Sequence, residues 1–126
     1  MAAFWAAALD YPVDSPAEGY PSWLDYQIAK GYPAADRVMF AAVTDQGSGR
    51  RICFLGVPEG KRVKNRLHLD IQATGKGDSP TTKKERVDAL VARLCELGAS
   101  ALRTGRERGQ YFVTMADVEG NEFCVH

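Results

Sequence analysis

Hydrophobic and polar residues alternate strictly in the stretch RLHLDI, which spans residues 66–71. Side chains of a β-strand point alternately to its two faces, so this pattern predicts a strand over 66–72 with one aliphatic and one polar face. The polar face carries a guanidinium, an imidazole and a carboxylate, from Arg66, His68 and Asp70. The aliphatic face, which we expect to pack under a helix, is formed by Leu67, Leu69 and Ile71.

The clearest predicted helix spans residues 82–97. Thr82 and Glu85 have the spacing of a capping box, and Gly98 stands where a helix commonly ends. An apolar stripe at helical spacing consists of Val87, Leu90, Val91, Leu94 and Leu97. Three short strands follow, near 100–103, 110–116 and 121–125, separated by the turn sequences TGRERG and DVEGN. The second half therefore reads β-α-β-β-β.

The first half repeats this pattern imperfectly. VMFAAVTDQGSGRRICFL aligns with YFVTMADVEGNEFCV, which places Asp45 on Asp117 and Arg51 on Glu122. AAFWAAALDY has the composition of a helix, and an inserted segment over 18–34 contains a short helix between a Ser22 cap and Gly31. The repeat predicts a strand before this helix, but the sequence begins within the helix: either the protein lacks the first strand of this module, or the sequence starts late, or another chain supplies the edge. An exposed sheet edge tends to pair, which favours a homodimer.

Composition narrows the functional classes. The chain has 126 residues, enough for one domain, and its 16 basic and 16 acidic residues cancel, which argues against a nucleic-acid partner. The apolar N-terminus is too short to span a membrane and lacks the features of a signal peptide. The three cysteines, Cys53, Cys95 and Cys124, form no CxxC pair. We expect buried free thiols in a reducing cytoplasm.

Three segments in this order resemble a glyoxalase-like domain of the vicinal oxygen chelate superfamily, which includes glyoxalases, bleomycin resistance proteins and dioxygenases. They are FWAAALDY, VPEGKRVKNRLHLDI and DVEGNEFCV, and the resemblance covers nearly the whole chain. It implies an α+β fold in which two βαβββ modules curl their mixed and antiparallel sheets around a cleft. The expected organisation is a single domain over 1–126, with module one at 1–60, the insertion at 18–34 and module two at 66–126.

The resemblance also implies a metal site, although an incomplete one. Metal-dependent relatives use a His and a Glu at positions that match His68 and Glu122. Another ligand comes from the strand that is missing here, and Arg51 stands where some relatives have a fourth; a guanidinium cannot bind a metal. His126 is a weaker candidate for recruitment. A divalent metal is therefore a conditional prediction. In the alternative interpretation, His68 hydrogen-bonds Asp70 or Glu122, and Glu122 pairs with Arg51 or Arg66.

Aromatic residues of the insertion suggest a lid over the cleft, because Trp23 and Tyr26 lie three residues apart on its helix. The expected ligand-binding residues are Trp23, Tyr26, Arg51, Arg66, His68, Asp70, Glu122 and Cys124. The first hypothesis is a small-molecule-binding protein that sequesters or senses an organic metabolite or antibiotic without catalysis.

Two other functions stay open at this stage. The alternative is a divalent-metal-dependent lyase, isomerase or dioxygenase, in which Asp70 would shuttle a proton. A third interpretation is a purely structural module. Without a choice among them, no residue is assigned a catalytic role.

Overall fold

A computed structural model describes residues 1–16, 19–37, 39–65, 67–107 and 109–126. Arg66, one of the expected cleft residues, lies outside these ranges. The chain divides into two compact units, Met1–Gly60 and Lys61–His126. Helices and two sheets are both present, so the predicted α+β class is confirmed.

The first unit contains two helices and a β-hairpin within its described residues. Its elements are α1 (Ala2–Leu9), α2 (Trp23–Ala29), a single 3-10 turn (Ala34–Asp36), β1 (Phe40–Thr44) and β2 (Arg51–Leu55). β1 and β2 pair antiparallel with Thr44 opposite Arg51. The core buries Phe4, Trp5 and Ala8 of α1 together with Ala42 and Val43 of β1. The predicted strand–turn–strand segment of module one is confirmed.

The inserted helix has the predicted boundaries. The Ser22 side chain accepts a hydrogen bond from the Asp25 backbone N–H at 3.1 Å, which satisfies one of the free donors at the start of α2. Gly31 follows the helix with a φ of 77°, a left-handed conformation that glycine adopts without strain. The cap and the stop were therefore both readable from sequence.

A single antiparallel bridge, Val13 to Val43, extends the β1–β2 sheet on one side. Around it, the Asp14 N–H donates to the Ala42 carbonyl at 2.8 Å and the Thr44 N–H donates to Pro12 at 3.3 Å. Pro12 lacks an N–H and cannot donate to a ladder, which explains why this pairing stays so short.

The second unit has the predicted βαβββ order. Its elements are β3 (Leu69–Ile71), α3 (Pro80–Glu96), β4 (Ser100–Glu107), β5 (Gln110–Ala116) and β6 (Glu122–Val125). The four strands form one sheet in the order β3–β6–β5–β4, in which only the β3–β6 pair is parallel. The sequence therefore predicted the elements of module two correctly.

Helix α3 covers one face of this sheet. Its Val87 and Leu94 are fully buried, as are Met115 of β5 and Val125 of β6. Burying side chains of this size stabilises the fold by about 1.5–3 kcal/mol each. The apolar stripe seen in the sequence thus packs as expected, which leaves the other sheet face free to carry polar groups.

Several boundaries differ from the prediction. The strand expected over 66–72 covers only Leu69–Ile71, and Leu67 is 75% exposed instead of lying under the helix. Helix α3 begins two residues early, because Ser79 accepts from the Thr82 N–H and Pro80 occupies the first turn. The capping role assigned to Thr82 was therefore wrong. β4 continues to Glu107, so most of the expected TGRERG turn is strand, paired with β5.

Candidate ligand and metal site

The face of the four-stranded sheet opposite α3 collects polar side chains on β3, β5 and β6. Cys124 pairs with Asp70 on one side and with Thr114 on the other, so the three side chains point to the same face. The same face carries Glu122 and His126, which lie two residues before and two residues after Cys124. We refer to this surface as the polar face.

A cluster of imidazole, carboxylate and thiol groups lies at the β3–β6 end of the polar face. The Asp70 Oδ1 atom lies 3.6 Å from His68 Nε2 and 3.4 Å from His126 Nε2, so one carboxylate oxygen lies near both imidazoles. Potential ligand atoms of His68, Asp70 and Cys124 all lie within 4.8 Å of one another. His68 thus lies near Asp70, but at 3.6 Å the two atoms are too far apart for the hydrogen bond of the alternative interpretation, which stays a prediction.

Cys124 is the enclosed member of the cluster. It is 7% exposed, and its Sγ atom lies 3.3 Å from the Thr114 hydroxyl. The other two cysteines, Cys53 and Cys95, are exposed, so the prediction of buried thiols was wrong for them and right for Cys124. Their strand and helix positions turn their side chains to the surface, which the apolar character of cysteine alone does not reveal.

The His126 backbone is fixed by the neighbouring strand. Its N–H donates to the Ile71 carbonyl at 3.0 Å, and its carbonyl accepts from the Ala73 N–H at 2.7 Å. These bonds continue the parallel ladder beyond β6. The imidazole of His126 is consequently held beside Asp70 instead of fraying.

A concavity of about 330 Å³ adjoins the cluster and is lined by Glu107, Gln110, Phe112 and His126. The rings of Phe112 and His126 have centroids 5.8 Å apart. Gly105 makes room for the aromatic ring, because a Cβ atom there would lie 2.5 Å from Phe112 Cζ. His126 thus belongs both to the polar cluster and to an aromatic-walled depression.

Sequence reasoning missed three residues of this concavity: Glu107, Gln110 and Phe112. The signal was present, because the alternation of QYFVTMA puts Gln110, Phe112 and Thr114 on one face. The alternation alone did not predict the concavity, because its second wall depends on β4 extending to Glu107, which lies directly opposite Gln110.

Glu122, one of the metal ligands implied by the family resemblance, contacts other groups of the second unit. Glu122 Oε2 lies 3.7 Å from the Lys64 ammonium, and its backbone carbonyl accepts from Asn65 Nδ2 at 3.1 Å. The carboxylate does not join the donor group formed by His68, Asp70 and Cys124. Because Leu69 pairs with Phe123 and Asp70 with Cys124, the same register places His68 opposite Glu122, and their use as a metal-binding pair stays a prediction.

The expected site residues of the first unit form a separate stacked arrangement. Arg51 Nε donates to Asp14 Oδ2 at 2.6 Å, and its guanidinium carbon lies 5.8 Å from the Trp23 ring centre and 5.3 Å from that of Phe40. Trp23 contacts Phe40 and Tyr26 edge-to-face, with centroids 4.9 and 5.8 Å apart. These residues brace the hairpin against α2. Ligand stacking on Trp23 and Tyr26 stays a prediction.

A charged network lies on the helix-covered side of the sheet, away from the polar face. The Tyr111 hydroxyl donates to Asp88 Oδ1 at 2.9 Å, and the Lys84 ammonium donates to the other Asp88 oxygen. The hydrogen bond from Lys84 holds the pKa of Asp88 below its usual value, and burial raises the pKa of Tyr111. The network ties α3 to β5.

Comparison with known families identifies the chain. The sequence model of the glyoxalase-like domain matches residues 1–126, the full length of the chain. The protein belongs to the glyoxalase-like family. No curated protein matches it. Within the described ranges, this glyoxalase-like protein has no helix that is both long and apolar enough to cross a membrane.

Solved structures with the same fold are distant in sequence. A glyoxalase/bleomycin resistance protein/dioxygenase family enzyme from Burkholderia phytofirmans PsJN is 18% identical with a TM-score of 0.59, over 98% of this chain and 84% of that one. A mutant of the fosfomycin resistance protein FosX from Listeria monocytogenes, complexed with Mn(II) and 1S,2S-dihydroxypropylphosphonic acid, is 17% identical with a TM-score of 0.58, over 98% and 78%. A hypothetical protein from S. aureus is 13% identical with a TM-score of 0.56, over 99% and 86%. At these identities the likeness shows the fold.

Proposed function

We propose that this glyoxalase-like protein binds a small organic molecule on its polar face and sequesters or senses it without catalysing a reaction. The observation that carries the proposal is the concavity of about 330 Å³ lined by Glu107, Gln110, Phe112 and His126. Its volume lies at the small end of the usual range for ligand sites. An aromatic wall beside polar groups suits a compact, partly planar metabolite or antibiotic.

The residue at one family ligand position supports binding over catalysis. Arg51, which stands at the position of module one equivalent to Glu122, is paired with Asp14, and a guanidinium cannot bind a metal. Glu122 itself lies 3.7 Å from the Lys64 ammonium. A binding protein needs only shape and hydrogen-bonding groups, which the polar face supplies.

A screen on metal-free protein tests this function. Thermal shifts would be measured in EDTA against a library of small metabolites that includes fosfomycin and bleomycin, and hits would be titrated by calorimetry. We expect Phe112→Leu to weaken a hit by about 5- to 30-fold, the effect of losing one aromatic anchor. Tyr111→Phe, the adjacent residue on the opposite face, is the matched control and should leave affinity unchanged.

The fate of the bound molecule separates binding from turnover. A hit recovered chemically unchanged by mass spectrometry after prolonged incubation, with and without added metal, agrees with the proposal. Conversion of the hit would refute the non-catalytic function. Equal affinity in the wild type and Phe112→Leu would instead refute the location of the site, because the hit would then not bind in the concavity.

A divalent-metal-dependent lyase, isomerase or dioxygenase is the second candidate function. One observation favours it: His68, Asp70 and Cys124 bring three potential ligand atoms within 4.8 Å of one another. The FosX structure contains Mn(II), so the fold is compatible with a metal. Metal-dependent conversion of a substrate with vicinal oxygens, lost on removal of the metal, would establish this function in place of the first.

The proposed assembly is a homodimer, and the proposed location is the cytoplasm. Unpaired strand edges support the dimer. Among the described strands, β2 pairs only with β1 and β3 pairs only with β6, so each has one edge available for pairing. Size-exclusion chromatography with light scattering should show a mass of two chains, whereas a single-chain mass at micromolar concentration would contradict the dimer.

A further inference from the structure

The cluster on the polar face contains three different kinds of metal ligand on two adjacent strands. Asp70 and Cys124 are directly paired across the parallel β3–β6 ladder, and His68 precedes Asp70 by two residues. The His68 Nε2 to Asp70 Oδ1 distance is 3.6 Å, and all three ligand atoms fall within 4.8 Å of one another. The sheet register therefore fixes the backbone positions of Asp70 and Cys124, and His68 directly precedes β3.

These separations are close to those that a tetrahedral ion needs. Bond lengths of about 2.0–2.3 Å to nitrogen, oxygen and sulfur place tetrahedral ligand atoms about 3.3–3.8 Å apart. The His68–Asp70 distance already lies in this range, and the Cys124 sulfur must approach by no more than about 1 Å, which a side-chain rotation supplies.

His126 stands beside the three groups. Its Nε2 atom lies 3.4 Å from the same Asp70 oxygen, and hydrogen bonds to Ile71 and Ala73 hold its backbone. His126 thus shares the Asp70 oxygen with His68, although it lies outside the 4.8 Å group and must move closer to Cys124 to become a fourth ligand. The Thr114 hydroxyl, 3.3 Å from the Cys124 sulfur, is placed to support the thiolate once it binds.

We infer that His68, Asp70 and Cys124, completed by His126, form a transition-metal site that differs from the His and Glu set implied by the family. A thiolate ligand favours borderline ions such as Zn²⁺ and Co²⁺ over the harder Mn²⁺ and Mg²⁺. Binding deprotonates the Cys124 thiol, and the proton leaves to solvent. The inference extends the second candidate function but requires neither turnover nor the organic ligand.

Cobalt titration tests the donor set directly. Untagged protein, stripped of metal and kept reduced, would be titrated with Co²⁺ and followed by absorption spectroscopy. We expect a sulfur-to-cobalt charge-transfer band in the near ultraviolet that saturates near one equivalent. Zn²⁺ should abolish the band by displacement, whereas an excess of Mn²⁺ should not.

Variants identify the ligands. Cys124→Ser should remove the band and weaken Zn²⁺ binding by more than about 100-fold. Loss of a residue that only hydrogen-bonds to a metal ligand already lowers metal affinity about 10- to 100-fold, and loss of a ligand itself should cost more. Cys53→Ser, which removes an exposed thiol, is the matched control and should keep the band. Glu122→Gln should also keep it. Circular dichroism would check folding, and Asp70→Asn, at a position 61% exposed in its side chain, provides a second ligand variant if Cys124→Ser does not fold.

Each contrary result overturns the inference in a recognisable way. Absence of a thiolate band, or Zn²⁺ affinity unchanged in Asp70→Asn, removes the proposed site. Metal binding that depends on Glu122 and not on Cys124 would restore the family set and leave the second candidate function standing. The ligand screen in EDTA is unaffected by any of these outcomes, so the proposed binding function fails or survives separately.

Discussion

Replacing Gly105 by alanine is expected to push the Phe112 ring out of its place and destabilise the protein. A Cβ atom at this position would lie 2.5 Å from Phe112 Cζ and 2.8 Å from Cε1, well inside van der Waals contact. The φ of Gly105 is not in the left-handed region, so the alanine backbone itself is not strained. The substitution therefore isolates a steric effect on the aromatic wall of the concavity.

The size of the effect follows from two opposing contributions. Forcing one extra methyl group into a packed position usually costs about 1–3 kcal/mol. Alanine recovers about 0.5–1 kcal/mol relative to glycine within a strand, because it restricts the unfolded chain. We expect a net decrease of about 1–2 kcal/mol in the free energy of unfolding. Because Phe112 lines the concavity, affinity for any ligand found there should fall as well.

Urea unfolding of four proteins measures this contribution. They are the wild type, Gly105→Ala, Phe112→Leu and the double variant, with Gly77→Ala as a control because a Cβ there meets no atom within 4 Å. Leucine lacks the clashing ring atoms, so the cost of Gly105→Ala should shrink by about 1 kcal/mol in the Phe112→Leu background. Additive costs, or a Gly105→Ala cost as small as that of Gly77→Ala, would refute the steric explanation.

Further predictions concern the helix of the second unit. Leu94→Ala should lower the free energy of unfolding by about 2–5 kcal/mol, because this fully buried side chain leaves a cavity; a loss below 1 kcal/mol in urea unfolding would contradict the packing. Ser79→Ala should cost about 1 kcal/mol as the helix cap and Thr82→Ala less, and the reverse order would restore the predicted capping box. The pKa of Asp88 is lowered by the Lys84 hydrogen bond, so its stabilisation is present above the unfolded pKa of about 3.9 and is lost as pH falls through the lower folded value. Asp88→Asn should thus cost less than about 1 kcal/mol at pH 7, since this ion pair is exposed, and progressively less as the pH falls below about 3.9; a cost that does not change with pH would exclude the charge as the cause.

The second unit was the more predictable part of the fold. Its helix shows an unbroken apolar period, and its strands show alternation, so their existence followed from local pattern alone. The start of α3 was misplaced because Ser79 and Thr82 both have capping chemistry. Pro80, which is favoured in a first turn, was the overlooked signal.

The composition of the site depended on contacts that sequence does not encode locally. Alternation correctly put His68 and Asp70 on one face, and Glu122, Cys124 and His126 on another strand's face. Which of them meet depends on the register between β3 and β6, where Asp70 lies opposite Cys124. A shift of register would have changed the partners, which is why the group of His68, Asp70 and Cys124 could not be predicted from the sequence.

Protein-observed NMR on the metal-free protein tests the central claim most directly. A library of small planar and polar fragments would be screened for backbone amide shifts. We expect hits to shift the amides of Gln110, Phe112, Thr114 and His126 on the polar face, and Phe112→Leu to weaken their binding. Hits confined to residues under α3, or no hits at millimolar concentration, would contradict a small-molecule site on this face.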